Sequence, residues 1–304
     1  MPTPTQPGWP LQSSTLTACG VRTRVLQGGA DLHATEAVVF VHGNPGSSED
    51  WRELMEDVSP HGRVIAFDMP GFGQAEKPAS FPYSVEGGAT FLGEALRQLG
   101  VLRAHLVLHD FGGPWGLMWA ALNPMSLASL TLVNTGVMRG YRWHTMARIW
   151  RTPLLGELAQ LTTTRSGFGW VLGKGAPRGL PPAFVDRMYR DMDWGTKRAV
   201  LRLYRATGQL EERSATLAAM LAPIQPPTLV VWGAADPYLP ARLAEQQKET
   251  FHQAQVVMLP DSGHFPFADN PQAVAQAVVP FLQAQLVRSG GRSGHAASPS
   301  TAPA

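Results

Sequence analysis

An aspartate, Asp110, stands where an apolar run turns into a glycine-rich helix start. Residues 105–116 read HLVLHDFGGPWG: 106–108 predict a buried strand, and Gly112 and Gly113 open a helix. A strand, a sharp glycine-rich turn and a helix are the setting of a nucleophile elbow, which presents one side chain above the end of a sheet. A carboxylate at that apex attacks by alkyl transfer and leaves an alkyl ester on the enzyme. The sequence therefore favours hydrolysis of carbon–halogen or strained carbon–oxygen bonds over ester hydrolysis.

Hydrolysis of an alkyl ester requires a general base beside the aspartate, and the chain offers a histidine in a suitable loop. His264 follows the last predicted strand, and Asp236 lies in the loop after the strand at 228–232. Functional residues of parallel α/β sheets gather outside the carboxyl ends of the strands. The loop after the preceding strand holds Asn134, which has no carboxylate to orient a histidine. We therefore predict Asp110 as the nucleophile, His264 as the base and Asp236 as the acid that orients it.

A third loop, HGNP at residues 42–45, follows the strand predicted at 37–41. Its backbone is expected to face the elbow, so the N–H groups of Asn44 and Phe111 are candidate oxyanion donors for the step that hydrolyses the ester. The side-chain amide of Asn44 is also a candidate donor to a departing anion. The alternative is that Asn44 is a polar loop residue that faces solvent.

The elements that must position these residues alternate between strands and helices. Such alternation is typical of an α/β fold with a mostly parallel sheet covered on both faces. Between 137 and 222 the alternation stops, and helix-like pieces carry several tryptophans. We interpret this stretch as a helical cap inserted after the sixth core strand; the alternative is a few surface helices. The predicted organisation is a flexible N-terminus at 1–15, a core at 16–136 and 223–288, a cap at 137–222 and a disordered tail at 289–304.

Composition narrows the class of protein. The 304 residues are 44% hydrophobic, which is enough for one large core, and the formal net charge is +2. The sequence shows no dense Lys/Arg run, no apolar stretch of membrane-spanning length and no secretory signal over 1–15. The single cysteine, Cys19, excludes an intramolecular disulfide and suits a reducing compartment. We expect a cytoplasmic protein without a nucleic-acid or membrane partner and without a metal or other cofactor; monomer and dimer both stay open.

Together these motifs resemble the α/β-hydrolase superfamily, and within it the haloalkane dehalogenase and epoxide hydrolase branch, which uses an aspartate nucleophile. The resemblance extends over roughly residues 20–285, and the segments that carry it are HGNPGSSEDW, DMPGFGQAEKP, HDFGGPWG, WGAADPYLP and SGHFPFADNP. It implies an α/β-hydrolase fold, with a mostly parallel eight-stranded sheet, helices on both faces and an inserted helical cap. The chain order Asp110, Asp236, His264 is similar to the nucleophile–acid–base order of that superfamily.

The resemblance to haloalkane dehalogenases is incomplete at the site of the leaving group. Asn44 resembles the halide-binding asparagine of those enzymes. The residue after their nucleophile is usually tryptophan, whereas the ring of Phe111 has no N–H group to donate. A tryptophan of the predicted cap is then a candidate for the missing donor. These candidates are Trp143, Trp150, Trp170 and Trp194.

The resemblance to epoxide hydrolases is incomplete in a different way. Those enzymes protonate the opening ring with two cap tyrosines, and Tyr204 resembles the second of them. The region expected to hold the first, 151–165, has no tyrosine, and Tyr141 and Tyr189 are the nearest substitutes. Each family thus lacks one expected donor, and because Asn44 is unusual for an epoxide hydrolase the sequence favours a haloalkane dehalogenase for small apolar organic substrates. Epoxide hydrolysis through Tyr204 is the alternative, and a non-catalytic ligand-binding protein is the third interpretation.

Overall fold

The computed structural model describes residues 9–293, and its centre is an eight-stranded sheet. In chain order the strands are β1 (Gln12–Ala18), β2 (Val21–Gly28), β3 (Glu36–Val41), β4 (Arg63–Phe67), β5 (Arg103–His109), β6 (Leu127–Val133), β7 (Thr228–Gly233) and β8 (Gln255–Leu259). Across the sheet they lie in the order β1-β2-β4-β3-β5-β6-β7-β8. β2 pairs antiparallel with β1 and β4, and the pairs from β4 to β8 are parallel. The predicted mostly parallel sheet is confirmed.

Helices cover both faces of this sheet. In chain order they are α1 (Arg52–Val58), α2 (Val85–Gln98), α3 (Gly112–Leu122), α4 (Thr145–Arg151), α5 (Leu155–Leu161), α6 (Arg165–Lys174), α7 (Pro182–Asp191), α8 (Trp194–Ala206), α9 (Leu210–Leu221), α10 (Arg242–Gln246), α11 (Pro266–Asp269) and α12 (Pro271–Ser293). The apolar side chains of α2 and α3 pack in one core layer, and those of α1 and α12 pack in the other.

The sequence of β3 shows why the sheet is buried on both sides. Val39 and Val41 belong to the layer that contains α2 and α3, whereas Val38 and Phe40 belong to the opposite layer. Successive side chains of a strand point to opposite faces, so a strand between two helical layers needs an uninterrupted apolar run. The parallel arrangement brings the carboxyl ends of β3, β5, β6, β7 and β8 to one edge of the sheet, where the candidate residues follow.

Between β6 and β7, a run of helices interrupts the alternation of strands and helices. The chain leaves the sheet after Val133, forms α4 to α9 and returns to the sheet at Thr228. We call α4–α9, residues 145–221, the helical insertion. An ion pair joins Arg187 of α7 to Asp50, which lies in a short 3₁₀ helix at Ser48–Trp51. The insertion is therefore tied to the sheet domain by charge as well as by apolar packing.

Both ends of the described chain are more regular than the sequence predicted. β1 begins at Gln12, within the N-terminus expected to be flexible, because its backbone pairs with β2 along its full length. α12 continues to Ser293, within the tail expected to be disordered. The remaining parts of those two predictions, 1–8 and 294–304, lie outside the described residues. In the chain from 9 to 293, no helix combines the length and apolar character needed to cross a bilayer.

Candidate active site

The apex of the turn between β5 and α3 is Asp110, in the left-handed region with φ 47°. Two hydrogen bonds to its carbonyl oxygen hold this conformation: Gly113 donates its N–H at 2.9 Å and Thr135 donates its hydroxyl at 2.7 Å. The neighbouring loop approaches so closely that a Cβ atom at Gly43 would collide with the Asp110 side chain. The strained backbone presents the carboxylate at the carboxyl edge of the sheet, where the sequence predicted it.

Two backbone N–H groups donate to this carboxylate. The N–H of Asn44 donates to Asp110 Oδ1 at 2.7 Å, and the N–H of Phe111 also donates to the carboxylate. Burial raises the pKa of Asp110 above its usual value, while the nearby His264 and these two donors favour its charged form. The second oxygen, Oδ2, faces His264 Nε2 at 3.6 Å.

His264 lies between the two aspartates that the sequence singled out. Its Nδ1 is 2.8 Å from Asp236 Oδ2, and its Nε2 is 3.6 Å from Asp110 Oδ2. Burial lowers the pKa of His264, but the charges of Asp236 and Asp110 and the hydrogen bond to Asp236 outweigh burial and raise it overall. The geometry places the three side chains in one row, in which a hydrogen bond joins His264 to Asp236 and Nε2 faces the Asp110 carboxylate.

Asp236 is kept ionised by four hydrogen bonds. Its Oδ1 accepts the N–H groups of Tyr238 and Leu239 at 2.8 and 3.0 Å, and its Oδ2 accepts His264 and the side-chain amide of Asn134, the latter at 2.7 Å. Burial raises the pKa of Asp236, but the charge of His264 and these hydrogen bonds lower it overall. Asn134, which the sequence excluded as the orienting acid, thus holds that acid in place.

His109 is a neighbour that the sequence did not single out. Its Nε2 lies 2.8 Å from the carbonyl oxygen of His264, and the two imidazole rings are 4.8 Å apart. Burial lowers the pKa of His109 well below its usual value, so the ring is neutral and donates an N–H to that carbonyl. The sequence feature that could have identified His109 is its position directly before Asp110. The end of β5 lies beside the loop that carries His264.

A polar pair lies beside the carboxylate: Asn44 follows β3, and Tyr204 belongs to α8 of the insertion. The amide Nδ2 of Asn44 donates to Tyr204 Oη at 3.2 Å, and the Tyr204 ring stands edge-on to Phe111 at 5.0 Å. Burial and the charge of Asp110 raise the pKa of Tyr204 well above its usual value, so its hydroxyl stays protonated. Since the oxygen already accepts from Asn44, the O–H proton is available to a bound molecule.

These groups open into a cavity of about 500 Å³ between the sheet edge and the helical insertion. Apolar and aromatic side chains dominate its lining, and three of the four tryptophan candidates contribute, namely Trp143, Trp150 and Trp170. The rings of Trp143 and Trp150 pack on Tyr204 at 5.3 and 4.9 Å. Tyr141 also lines the cavity, whereas Tyr189 packs on Phe168 instead. The cavity therefore suits an apolar ligand with one polar end.

The structure brings all six residues chosen from the sequence to this one place: Asp110, His264, Asp236, Asn44, Phe111 and Tyr204. Asn44 is buried and does not face solvent. Across residues 9–293, no group of three His, Cys, Asp or Glu side chains is arranged to hold a metal ion.

Comparison with known proteins gives a consistent fold and several different activities. A family model described as alpha/beta hydrolase fold matches residues 36–271. A cis-3-alkyl-4-alkyloxetan-2-one decarboxylase of Xanthomonas campestris pv. campestris is 26% identical over 273 residues, which cover 82% of this chain and 88% of that protein. A haloalkane dehalogenase of Agrobacterium fabrum is 37% identical over 101 residues, covering 32% and 33% of the two chains.

Among solved structures, haloalkane dehalogenase DbeA of Bradyrhizobium elkani superimposes with a TM-score of 0.79 at 24% identity. The match covers 92% of this chain and 100% of that one. Structural likeness at this identity establishes the fold, and the reaction has to be argued from the side chains of the site.

Proposed function

Because this chain belongs to the alpha/beta hydrolase fold family, we propose that it is a hydrolase whose nucleophile is Asp110. The observation that carries this proposal is that the two carboxylate oxygens of Asp110 have different neighbours. Oδ1 accepts the N–H of Asn44, and the N–H of Phe111 also donates to the carboxylate, while Oδ2 lies 3.6 Å from His264 Nε2. Attack by Oδ2 on an alkyl carbon leaves Oδ1 as the carbonyl oxygen of the ester, already beside the N–H of Asn44.

The second step regenerates the carboxylate. His264, oriented by Asp236, removes a proton from water, and the resulting hydroxide attacks Cγ of the Asp110 ester. The negative charge that develops on Oδ1 is stabilised by the N–H of Asn44, with the N–H of Phe111 also at the carboxyl group. The ester bond then breaks, and the alkoxide takes the proton that came with the hydroxide and leaves as the alcohol, so that Asp110 is again a carboxylate. His264 passes its proton to the group that protonated a leaving oxygen or, after loss of a halide, to solvent. The helical insertion acts as a cap that keeps bulk water from the ester.

The leaving group we propose is the oxygen of a strained ring, such as an epoxide. The sequence placed a halide first, but the contact between Asn44 and Tyr204 favours the other order. An opening ring needs a proton for its oxygen, and Tyr204 holds a neutral O–H whose oxygen is already occupied by the Asn44 amide. The relative from Xanthomonas is also named for a strained oxygen ring, an oxetan-2-one, although the reaction in its name is decarboxylation.

A carbon–halogen bond is the second candidate, and the Asn44 amide is the observation that favours it. A halide leaves without a proton, so a hydrogen-bond donor suffices. The amide is next to the nucleophile, and the indole groups of Trp143 and Trp150 line the same cavity. The dehalogenase from Agrobacterium resembles about a third of the chain and supports this candidate to that extent.

Trapping the ester tests the nucleophile. His264→Gln removes the base of the second step, so the alkyl ester on Asp110 should accumulate when the protein is incubated with a terminal epoxide or a terminal bromide of equal chain length. Peptide mass spectrometry should find the added group on Asp110, as a hydroxyalkyl group from the epoxide or an alkyl group from the bromide.

Two controls make the trapping result decisive. Asp110→Ala combined with His264→Gln should show no adduct, and His252→Gln, an exposed histidine remote from the cavity, should turn over like the wild type. An adduct on another residue, or product formation that persists without Asp110, would remove the proposal. Whichever substrate labels Asp110 faster identifies the preferred leaving group.

A further inference from the structure

Within the described residues, an apolar surface on the helical insertion is left uncovered. Leu155, Leu158 and Leu161 of α5, with Leu154 just before it, are between 47% and 84% exposed. At helical spacing Leu155, Leu158 and Leu161 share one side of α5, while Gly156 and Gln160 are buried on the other side. Single exposed leucines need no explanation, but three on one helix face, next to a fourth at its start, form an apolar surface.

Two exposed tryptophans extend this patch. Trp170 of α6 is 64% exposed and Trp194 at the start of α8 is 55% exposed. Lys197, one turn after Trp194, donates to the carbonyl of Gln160 in α5 at 2.8 Å, which places that end of α8 beside α5. We call this surface the α5 face; it consists of Leu154, Leu155, Leu158, Leu161, Trp170 and Trp194.

The α5 face borders the cavity. Thr162 and Thr163, directly after α5, line the cavity, as do Ala159 within the helix and Trp170. Trp170 is therefore shared between the cavity lining and the exposed surface. An apolar molecule that rests on this face is therefore next to a side chain of the cavity wall.

The part of the chain that contains the insertion is rich in cations, and two of them lie on the face. Residues 137–222 contain 14 Lys and Arg against 6 Asp and Glu, whereas the rest of the chain contains 11 against 17. The ammonium of Lys174 lies 3.5 Å from the centre of the Trp170 ring, and that of Lys197 lies 4.7 Å from the centre of the Trp194 ring. Arg148 of α4 is exposed, and within the described residues neither it nor Lys174 makes an ion pair with an Asp or Glu of another helix.

We propose that the α5 face docks on the surface of a bilayer that contains anionic lipids, and that apolar substrate enters the cavity from that bilayer. Leucines that enter the acyl boundary, tryptophans at headgroup level and cations near anionic headgroups are the three features of a helix that lies in a membrane interface. Charge argues against a second copy of the chain as the occupant, since two insertions of net positive charge repel each other. The sequence expectation of no membrane partner addressed spanning segments, and this contact requires none.

Vesicle sedimentation tests the docking and does not depend on turnover. The probes are vesicles of pure phosphatidylcholine and vesicles of equimolar phosphatidylcholine and phosphatidylglycerol. The wild-type chain should bind the anionic vesicles, and should bind them less as salt is raised. Leu158→Glu with Leu161→Glu should lower the partition coefficient by at least about tenfold, because it removes two apolar contacts and adds charge that anionic lipid repels.

A matched double variant controls for charge and for apolar area. Leu122→Glu with Met125→Glu changes two exposed apolar residues at the end of α3 and in the turn after it, outside the insertion, and should bind the anionic vesicles like the wild type. Absence of binding by the wild type, or equal loss in both double variants, overturns the proposal. So does a dimer in gel filtration that only the α5-face variant dissociates, because a second copy would then cover the face.

Discussion

The hydroxyl of Tyr204 and the amide of Asn44 make different demands on the two candidate leaving groups. Tyr204→Phe removes the only polar atom of that ring and keeps its packing against Phe111 and Trp150. Ring opening should slow by about a hundredfold or more, as expected for loss of a general acid, whereas bromide displacement should change by less than about tenfold. Diol formation and bromide release, measured on the same protein preparations, give the two rates.

Tyr189→Phe is the matched control for this substitution, because that ring lies outside the cavity and packs on Phe168. It should leave both rates unchanged. Equal losses in ring opening and bromide release for Tyr204→Phe would mean that the tyrosine only shapes the cavity, and the proton would then have to come from another group.

Some residues of the site were predictable from the sequence and others were not, for a physical reason. Asp110 and Asp236 follow the buried strands β5 and β7, and His264 follows the partly buried β8; strand ends are visible as the end of an apolar run. The contribution of Asn134 was invisible because its partner, Asp236, is 102 positions away in sequence. His109 is less visible still, since its hydrogen bond goes to the backbone carbonyl of His264, and any residue at 264 would offer that carbonyl.

The contact between α7 and the sheet domain includes one buried carboxylate, that of Asp50. Asp50 accepts a hydrogen bond from Arg187 at 2.5 Å and from the N–H of Ser47 at 2.9 Å. Burial raises the pKa of Asp50 to about 6, even though Arg187 acts in the opposite direction. The folded protein therefore holds a proton that the unfolded chain releases between the usual pKa of 3.8 and about 6, and the Asp50 contribution to stability falls as pH rises through that range.

Removing the guanidinium of Arg187 should make the effect of pH on stability measurable. At about pH 8, Arg187→Met leaves an ionised Asp50 without its partner and should lower the free energy of unfolding by about 3–5 kcal/mol. At about pH 5 the Asp50 carboxyl is largely protonated, so the loss should be clearly smaller. Urea unfolding at the two pH values measures the difference. Arg190→Met, which changes an exposed arginine of the same helix, should cost less than about 1 kcal/mol at both; equal losses for Arg187→Met at the two pH values would contradict the argument.

Elements of the sheet were easier to predict than those of the insertion. The strand predicted at 37–41 is β3 at Glu36–Val41. α2 at Val85–Gln98 begins after Ser84, whose hydroxyl accepts the N–H of Gly87. A strand covered on both faces, or a helix with an amphipathic period and a capping serine, carries its own signal. α4 and α5 are seven residues each, so packing against neighbours decides their bounds more than local sequence does.

The whole molecule places an apolar cavity between the carboxyl edge of the sheet and the helical insertion, so we expect the insertion to set substrate size. If the cavity accommodates an alkyl chain, each added methylene removes apolar surface from water, worth about 0.8 kcal/mol or about fourfold in kcat/KM. We expect kcat/KM for terminal epoxides to rise by about that factor per methylene until the roughly 500 Å³ are filled.

Ile149→Trp should end the rise of kcat/KM at a shorter alkyl chain. Ile149 of α4 lines the cavity, and a larger ring there takes up part of the cavity volume. The rates for the shortest epoxides should stay within about threefold of the wild type, since Asp110 and Tyr204 are unchanged, while the longest substrates should lose the gain that chain length gives. Leu122→Trp adds the same ring at an exposed position of α3 and should leave the dependence of kcat/KM on chain length unchanged. A wild-type series in which kcat/KM does not depend on chain length would mean that the alkyl chain stays in water, and the insertion would then have to act on the rate by excluding water from the Asp110 ester alone.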